Sequence, residues 1–118
     1  MTNQPKELAL KILSVLDDRK AEDMLFLSVS HLTILADYFI ICSGRSNIQV
    51  RALCEAVDEK LGGEGIEPAR IDGMPEARWV VMDYGSVIVH IFGEEEREFY
   101  RLERLWTDGS NQIPYPED

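Results

Sequence analysis

Near the start of the chain, Leu8, Ile12, Leu13, Val15 and Leu16 recur at helical spacing after Pro5, a residue tolerated in a first turn. This predicts an amphipathic helix over about residues 5–18, ended by Asp17-Asp18. Met24 to Val29 is a strand-like run. Tyr38 to Ser43 is a second, apolar on both alternating faces apart from its closing Ser43, as suits a strand inside a sheet. The link Ser30 to Asp37 is shorter than the dozen residues of a parallel crossover, so these strands, if neighbours, run antiparallel.

After Gly44-Arg45, the sequence Ser46-x-x-Gln49 forms a capping box: the Ser side chain accepts from the third helical amide, and the Gln answers the cap's own N–H. The helix it opens carries Val50, Leu53, Cys54, Val57 and Leu61 on one face, sets Arg51 four residues before Glu55, and meets a stop at Gly62-Gly63. With the strand before it and an extended segment near residues 69–71, this helix reads as a right-handed crossover to a parallel neighbour, which makes the sheet mixed.

Arg78 to Tyr84 and Val87 to Phe92 are strand-like runs joined by Gly85-Ser86, and Gly in the first loop position suits a type II′ hairpin. A two-residue loop puts Trp79, Val81 and Asp83 on one face with Ile88, His90 and Phe92. Val80, Met82 and Tyr84 then share the other, drier face with Val87, Val89 and Ile91. Glu94-Glu95-Glu96 opens a last helix, where the dipole welcomes anions, with Phe99, Leu102, Leu105 and Trp106 as its buried stripe before Gly109. The expected architecture is α/β (α+β): a mixed four- to five-stranded sheet with about three helices in a single domain over residues 1–109, then an irregular tail over 110–118.

A chain of 118 residues suits one domain, and folding at this length removes roughly two-thirds of the extended chain's surface from water. The longest unbroken apolar run, Tyr38 to Cys42, is far below the ~18 residues of a membrane span, and Met1 to Pro5 has no secretory character. A cytoplasmic protein without membrane contact is the expectation. The net charge of −10 repels a phosphate backbone, so little direct nucleic-acid binding is expected and a partner should be gripped through protein. Cys42 and Cys54 lack a CxxC motif and a nearby His pair, and read as two buried reduced thiols.

The most enzyme-like feature is Ser43-Gly44-Arg45-Ser46 between a strand and a helix, a turn similar to the nucleotide-gripping turn of nucleotidyltransferases. Such enzymes need two acids alternating on a strand to hold paired metal ions, whereas the candidate strands offer only the lone Asp72 and Asp83. Gly turn plus helix cap is the simpler reading. His31 and His90 have no neighbour at a recognisable nucleophilic spacing, and His90 reads as a core-edge histidine satisfied by a local hydrogen bond. Glu94, Glu95 and Glu96 fan out by about 100° each on a helix and cannot converge on one ion. Arg97, Glu98, Arg101, Glu103 and Arg104 read as a solvated charged face. No metal site, cofactor or catalytic group is therefore assigned. The face bearing Trp79, His90, Phe92 and Asp83 mixes aromatic and charged groups, which suits either a protein contact or a second, helix-covered core.

Ala36-Asp37-Tyr38-Phe39-Ile40-Ile41-Cys42-Ser43-Gly44 with Ser46, Arg78-Trp79 through Asp83-Tyr84-Gly85, Val89-His90-Ile91-Phe92 and the run Glu94 to Trp106 closely resemble the ribosomal silencing factor RsfS (Iojap-related) family. The preceding Lys20-Ala21-Glu22-Asp23 also fits, and the resemblance spans about residues 5–109. It implies a nucleotidyltransferase-like fold without transferase activity. It further implies binding to the large ribosomal subunit through ribosomal protein L-fourteen, which blocks the small subunit and represses translation under nutrient limitation. A homodimer in the free state is implied as well. Trp79, Asp83 and Tyr84 carry over as contact residues, followed by His90, Glu94, Glu95 and Glu96. The alternatives are a large-subunit assembly or maturation factor and a metal-dependent nucleotidyltransferase using the Gly44 turn.

Overall fold

The structure is a computed structural model and describes residues 4–116. Its elements in chain order are α1 (Gln4–Asp18), β1 (Glu22–Ser28), β2 (Tyr38–Gly44), α2 (Asn47–Gly62), β3 (Arg70–Asp72), β4 (Trp79–Asp83), β5 (Val87–Gly93), α3 (Glu94–Tyr100) and α4 (Glu103–Trp106). The five strands form one mixed sheet in the order β1-β2-β5-β4-β3. β1 and β2 are antiparallel, as their short link requires.

The parallel neighbour of β2 is β5, in register from Tyr38 opposite Val87 to Gly44 opposite Gly93. The segment near residues 69–71, expected beside β2, is instead the edge strand β3, antiparallel to β4. Strand composition explains the exchange. β5 is almost wholly apolar and tolerates burial on both faces, whereas Arg70-Ile71-Asp72 flanks one apolar residue with charges that suit an edge.

α1 and α2 cover one face of the sheet. Ala9, Ile12, Leu13 and Leu16 from α1 and Val50, Leu53, Cys54, Val57 and Leu61 from α2 meet Val80, Met82, Val87, Val89 and Ile91, the residues expected on the drier face. All are buried. The hairpin register is also the expected one, with Trp79 opposite Phe92, Val81 opposite His90 and Asp83 opposite Ile88. Gly85 takes φ +85° in its loop, which the Tyr84 N–H closes by donating to the Val87 carbonyl.

Helix ends differ in detail from the sequence reading. Ser46 caps α2 by accepting from the Gln49 amide at 3.2 Å, but the Gln49 side chain accepts from the Arg45 N–H at 2.7 Å rather than from that of Ser46. The left-handed stop after α2 is Gly65, at φ +82°, with the Ile66 N–H closing onto Leu61, while Gly63 remains right-handed. Arg51 does not use Glu55. Its guanidinium reaches the Met74 and Pro75 carbonyls at 3.1 and 2.6 Å.

The last helix is broken. Arg101, at φ +47°, separates α3 from α4, so the single stripe is lost: Leu102 and Trp106 pack against the sheet, while Phe99 and Leu105 are exposed. Beyond α4 the chain returns to the outer edge of β1. The Ser28 N–H donates to the Asn111 carbonyl and the Ile113 N–H to that of Phe26, covering an edge that would otherwise present unpaired backbone. The Asn111 amide is buried and donates to the Ser28 and Trp106 carbonyls at 3.0 and 2.7 Å.

A candidate partner-binding face beside Trp79

The face of the sheet opposite α1 and α2 holds a smaller core of Leu27, Val29, Ala36, Phe39, Ile41 and Phe92. α4 covers its centre through Leu102 and Trp106. The face is therefore part core and part open surface, because helices of seven and four residues cover less than the sheet offers.

An aromatic ladder crosses it. Phe99 meets Tyr100 edge-on with centroids 5.0 Å apart, Tyr100 lies 4.8 Å from Trp79, and Trp79 stacks on Phe92 at 4.8 Å. His90 sits 5.1 Å from Phe39, which in turn packs 4.8 Å from Trp106. These separations are in the range where aromatic pairs attract beyond their buried area. The ladder runs from buried to open: His90 is 8% exposed, Tyr100 49% and Phe99 80%.

The Trp79 Nε1–H donates to His90 Nδ1 at 3.2 Å. That geometry leaves the imidazole proton on Nε2, an atom that is buried and has no hydrogen-bond partner among the described residues. Burial pushes the His90 pKa down to about 4, so the ring is neutral at pH 7.

Of the other expected contact residues, Glu95 and Glu96 line an open groove of about 510 Å³ beside Trp79. Glu94 turns away to the far corner of the sheet, where it meets Glu22 and is held above the usual carboxylate range by that neighbour. Glu22 is lowered in turn by Arg45, 2.7 Å away. Asp83 caps the hairpin, its Oδ1 accepting from the Gly85 N–H at 2.8 Å. Tyr84 packs against the main core on the opposite side, with a buried hydroxyl that has no hydrogen-bond partner among the described residues and a pKa raised by burial. The structure thus gathers Trp79, His90, Glu95 and Glu96, and sets Asp83, Tyr84 and Glu94 apart.

Sequence reasoning missed Tyr100 and Phe99 as surface aromatics. Adjacent helical residues point about 100° apart, so the pair could not both have joined one buried stripe. It also missed Arg97, whose side chain is 11% exposed and joins Ser43 Oγ at 2.8 Å to Glu103 at 3.2 Å. Arg97 thus engages the hydroxyl that opens the enzyme-like turn. Ser43 is buried, and a methyl added at Gly44 would stand 3.1 Å from the Val50 side chain. Among the described residues no group of three or more His, Cys, Asp or Glu is placed to hold a metal ion. The two thiols are free and buried, and burial pushes both up to about 12, far from a reactive thiolate. His31 pairs with Asp108 at 2.8 Å, on the surface.

A family model described as ribosomal silencing factor during starvation, RsfS, matches residues 2–118, tail included. The chain belongs to the RsfS family. The ribosomal silencing factor RsfS of Bacillus subtilis is 44% identical over 92 residues, which are 78% of each chain. A crystal structure from Chromobacterium violaceum superposes with a TM-score of 0.85 at 31% identity, covering 97% of both chains. The mouse mitochondrial assembly of ribosomal large subunit protein 1 is 30% identical over 81% of this chain and 43% of its own length. Family membership makes this a ribosomal silencing factor, and no helix among the described residues is long and apolar enough to cross a membrane.

Proposed function

We propose that the chain docks on the large ribosomal subunit through ribosomal protein L-fourteen and, by occupying that surface, sterically blocks the small subunit, with no catalysis. The observation that carries this reading, beside family membership, is the half-open aromatic face around Trp79 and Tyr100. Half-exposed Trp and Tyr are the residues that most often anchor protein interfaces, and each large side chain newly buried contributes about 1.5 to 3 kcal/mol. A charge of −10 favours fast encounter with a basic ribosomal protein and disfavours ribosomal RNA. The site of action is the cytoplasm, and a homodimer of the free protein would compete for the same face.

The test is co-sedimentation with isolated large subunits, followed by subunit-joining kinetics with protein added beforehand. Joining should slow as large subunits become occupied. Trp79→Ala should weaken the interaction about tenfold or more while the fold persists. Unchanged joining at saturating protein refutes the reading. The name of the mouse relative favours a second reading, a factor in large-subunit assembly. Enrichment on precursor particles rather than on mature large subunits selects it.

A further inference from the structure

The groove beside Trp79 has a composition that an apolar docking site would not need. Its walls carry the carboxylates of Glu76, Glu95 and Glu96 against the single guanidinium of Arg78. The rings of Trp79, Phe99 and Tyr100 line the same space. Trp79 and Tyr100 are inclined at 45° and Phe99 stands at 89° to Tyr100, so the rings form a corner, and the exposure of Phe99 and half of Tyr100 leaves aromatic surface in it open.

One wall is fixed from behind. Arg51 holds the Met74 and Pro75 carbonyls, and the Ala77 N–H closes onto the Gly73 carbonyl at 2.8 Å. Gly73, at φ +92°, lies so close to the Trp79 carbonyl that a methyl added there would stand 2.1 Å from its oxygen. The opposite wall is α3, tied down through Arg97. The groove thus exists before any partner arrives, which limits the ordering lost on binding.

We propose that this groove receives one cationic side chain, an arginine, presented by the protein partner. Aromatic faces attract cations, and surrounding carboxylates multiply that attraction while repelling phosphate. A guanidinium suits the space better than an ammonium. It lies flat on an aromatic ring and offers a planar fork of donors to carboxylates at the rim. The inference deepens the proposed docking on a basic protein of the large subunit and rests on that reading for the partner's identity.

Two charge-matched triple variants separate a local site from long-range attraction. Glu76→Gln/Glu95→Gln/Glu96→Gln neutralises the groove, whereas Glu7→Gln/Glu55→Gln/Glu59→Gln neutralises three exposed carboxylates on α1 and α2. The groove variant should bind large subunits about tenfold or more weaker with a shallower salt dependence, and the rear variant within about twofold of the unaltered protein. Equal loss in both, or loss in neither, overturns the proposal and leaves the docking reading standing. An independent arm uses acetyl-Gly-Arg-Gly-amide as probe, with citrulline replacing arginine as the neutral control. The arginine peptide should shift the Trp79 indole and Tyr100 ring resonances saturably and the citrulline peptide should not; identical responses overturn the proposal. If the unaltered protein fails to bind large subunits, the docking reading falls and the peptide arm decides the groove by itself.

Discussion

His90 makes stability depend on pH in a way that isolates one residue. Its imidazole is buried against Phe39, Phe92 and Trp79, and its Nδ1 already accepts the Trp79 indole proton. Protonation would place a charge in this apolar setting and abolish that hydrogen bond. The folded protein therefore holds the pKa near 4, against an ordinary 6.5 in the unfolded chain. Between those values the unfolded state binds more protons, so stability falls as pH drops from 6.5 towards 4 and His90 contributes no further loss below. At about 1.36 kcal/mol per unit, that difference amounts to about 3 kcal/mol. Urea unfolding from pH 7 to pH 4 measures it. Glu22, Glu94 and Asp108 also titrate abnormally, but they do so equally in His90→Gln, which keeps an acceptor for the indole without the titration. The unaltered protein should lose about 3 kcal/mol more than His90→Gln over this range. Parallel stability curves, or a His90 imidazole resonance titrating near 6.5, would refute the reasoning.

Two further substitutions probe the supports of the same face. Arg97→Met leaves Ser43 Oγ and the Glu103 carboxylate without their donor and should destabilise the fold by about 2 to 3 kcal/mol in chemical denaturation. Arg97→Lys should rescue little, because one ammonium cannot repeat the forked geometry; a change below about 0.5 kcal/mol in either variant contradicts the assigned role. Gly73→Ala combines a left-handed backbone with a clash against the Trp79 carbonyl, whereas Gly85→Ala, at φ +85°, meets nothing within 4 Å. The first should cost about 2 kcal/mol or more and the second about 1 kcal/mol. Equal melting temperatures for the two would remove the steric term.

What was legible in the sequence was whatever short-range pattern controls. The alternation of β4 and β5 assigned Val80, Met82, Val87, Val89 and Ile91 to the main core, because a period of two admits no intermediate orientation. Ser46 announced the start of α2 because a cap acts over three residues. The missed features depend on distant partners. Strand order was misread at β3, since sequence adjacency favoured it beside β2, while burial on both faces favoured β5. The break between α3 and α4 falls at Arg101, where no Gly or Pro marks it. Arg97 looked like one more surface charge because its partners are 54 residues upstream and 6 downstream, neither at helical spacing. In the candidate site, Trp79 and His90 were legible as a pair from hairpin register, whereas Tyr100 and Glu76 join them only through the turn of α3 and the loop that Arg51 holds.

The division of labour between the two faces of the sheet gives this arrangement its mechanical sense. Helices of 15 and 16 residues complete the core on one side and supply half of its buried residues, the sheet supplying nearly all the rest. On the other side, α3 and α4 are too short to be stable alone, since one or two turns scarcely repay helix nucleation. They persist through Arg97, which ties α3 to the end of β2 and to α4, and through the aromatic contacts of Tyr100 and Trp106. The same contacts that fold these helices leave Phe99 and half of Tyr100 in solvent at a fixed angle to Trp79. Stiffness of the proposed docking face is thus set by a few polar and ring contacts rather than by the main core. Under the proposed docking, substitutions at Arg97 should therefore weaken large-subunit binding mainly by raising the dissociation rate, with charge-steered association largely preserved.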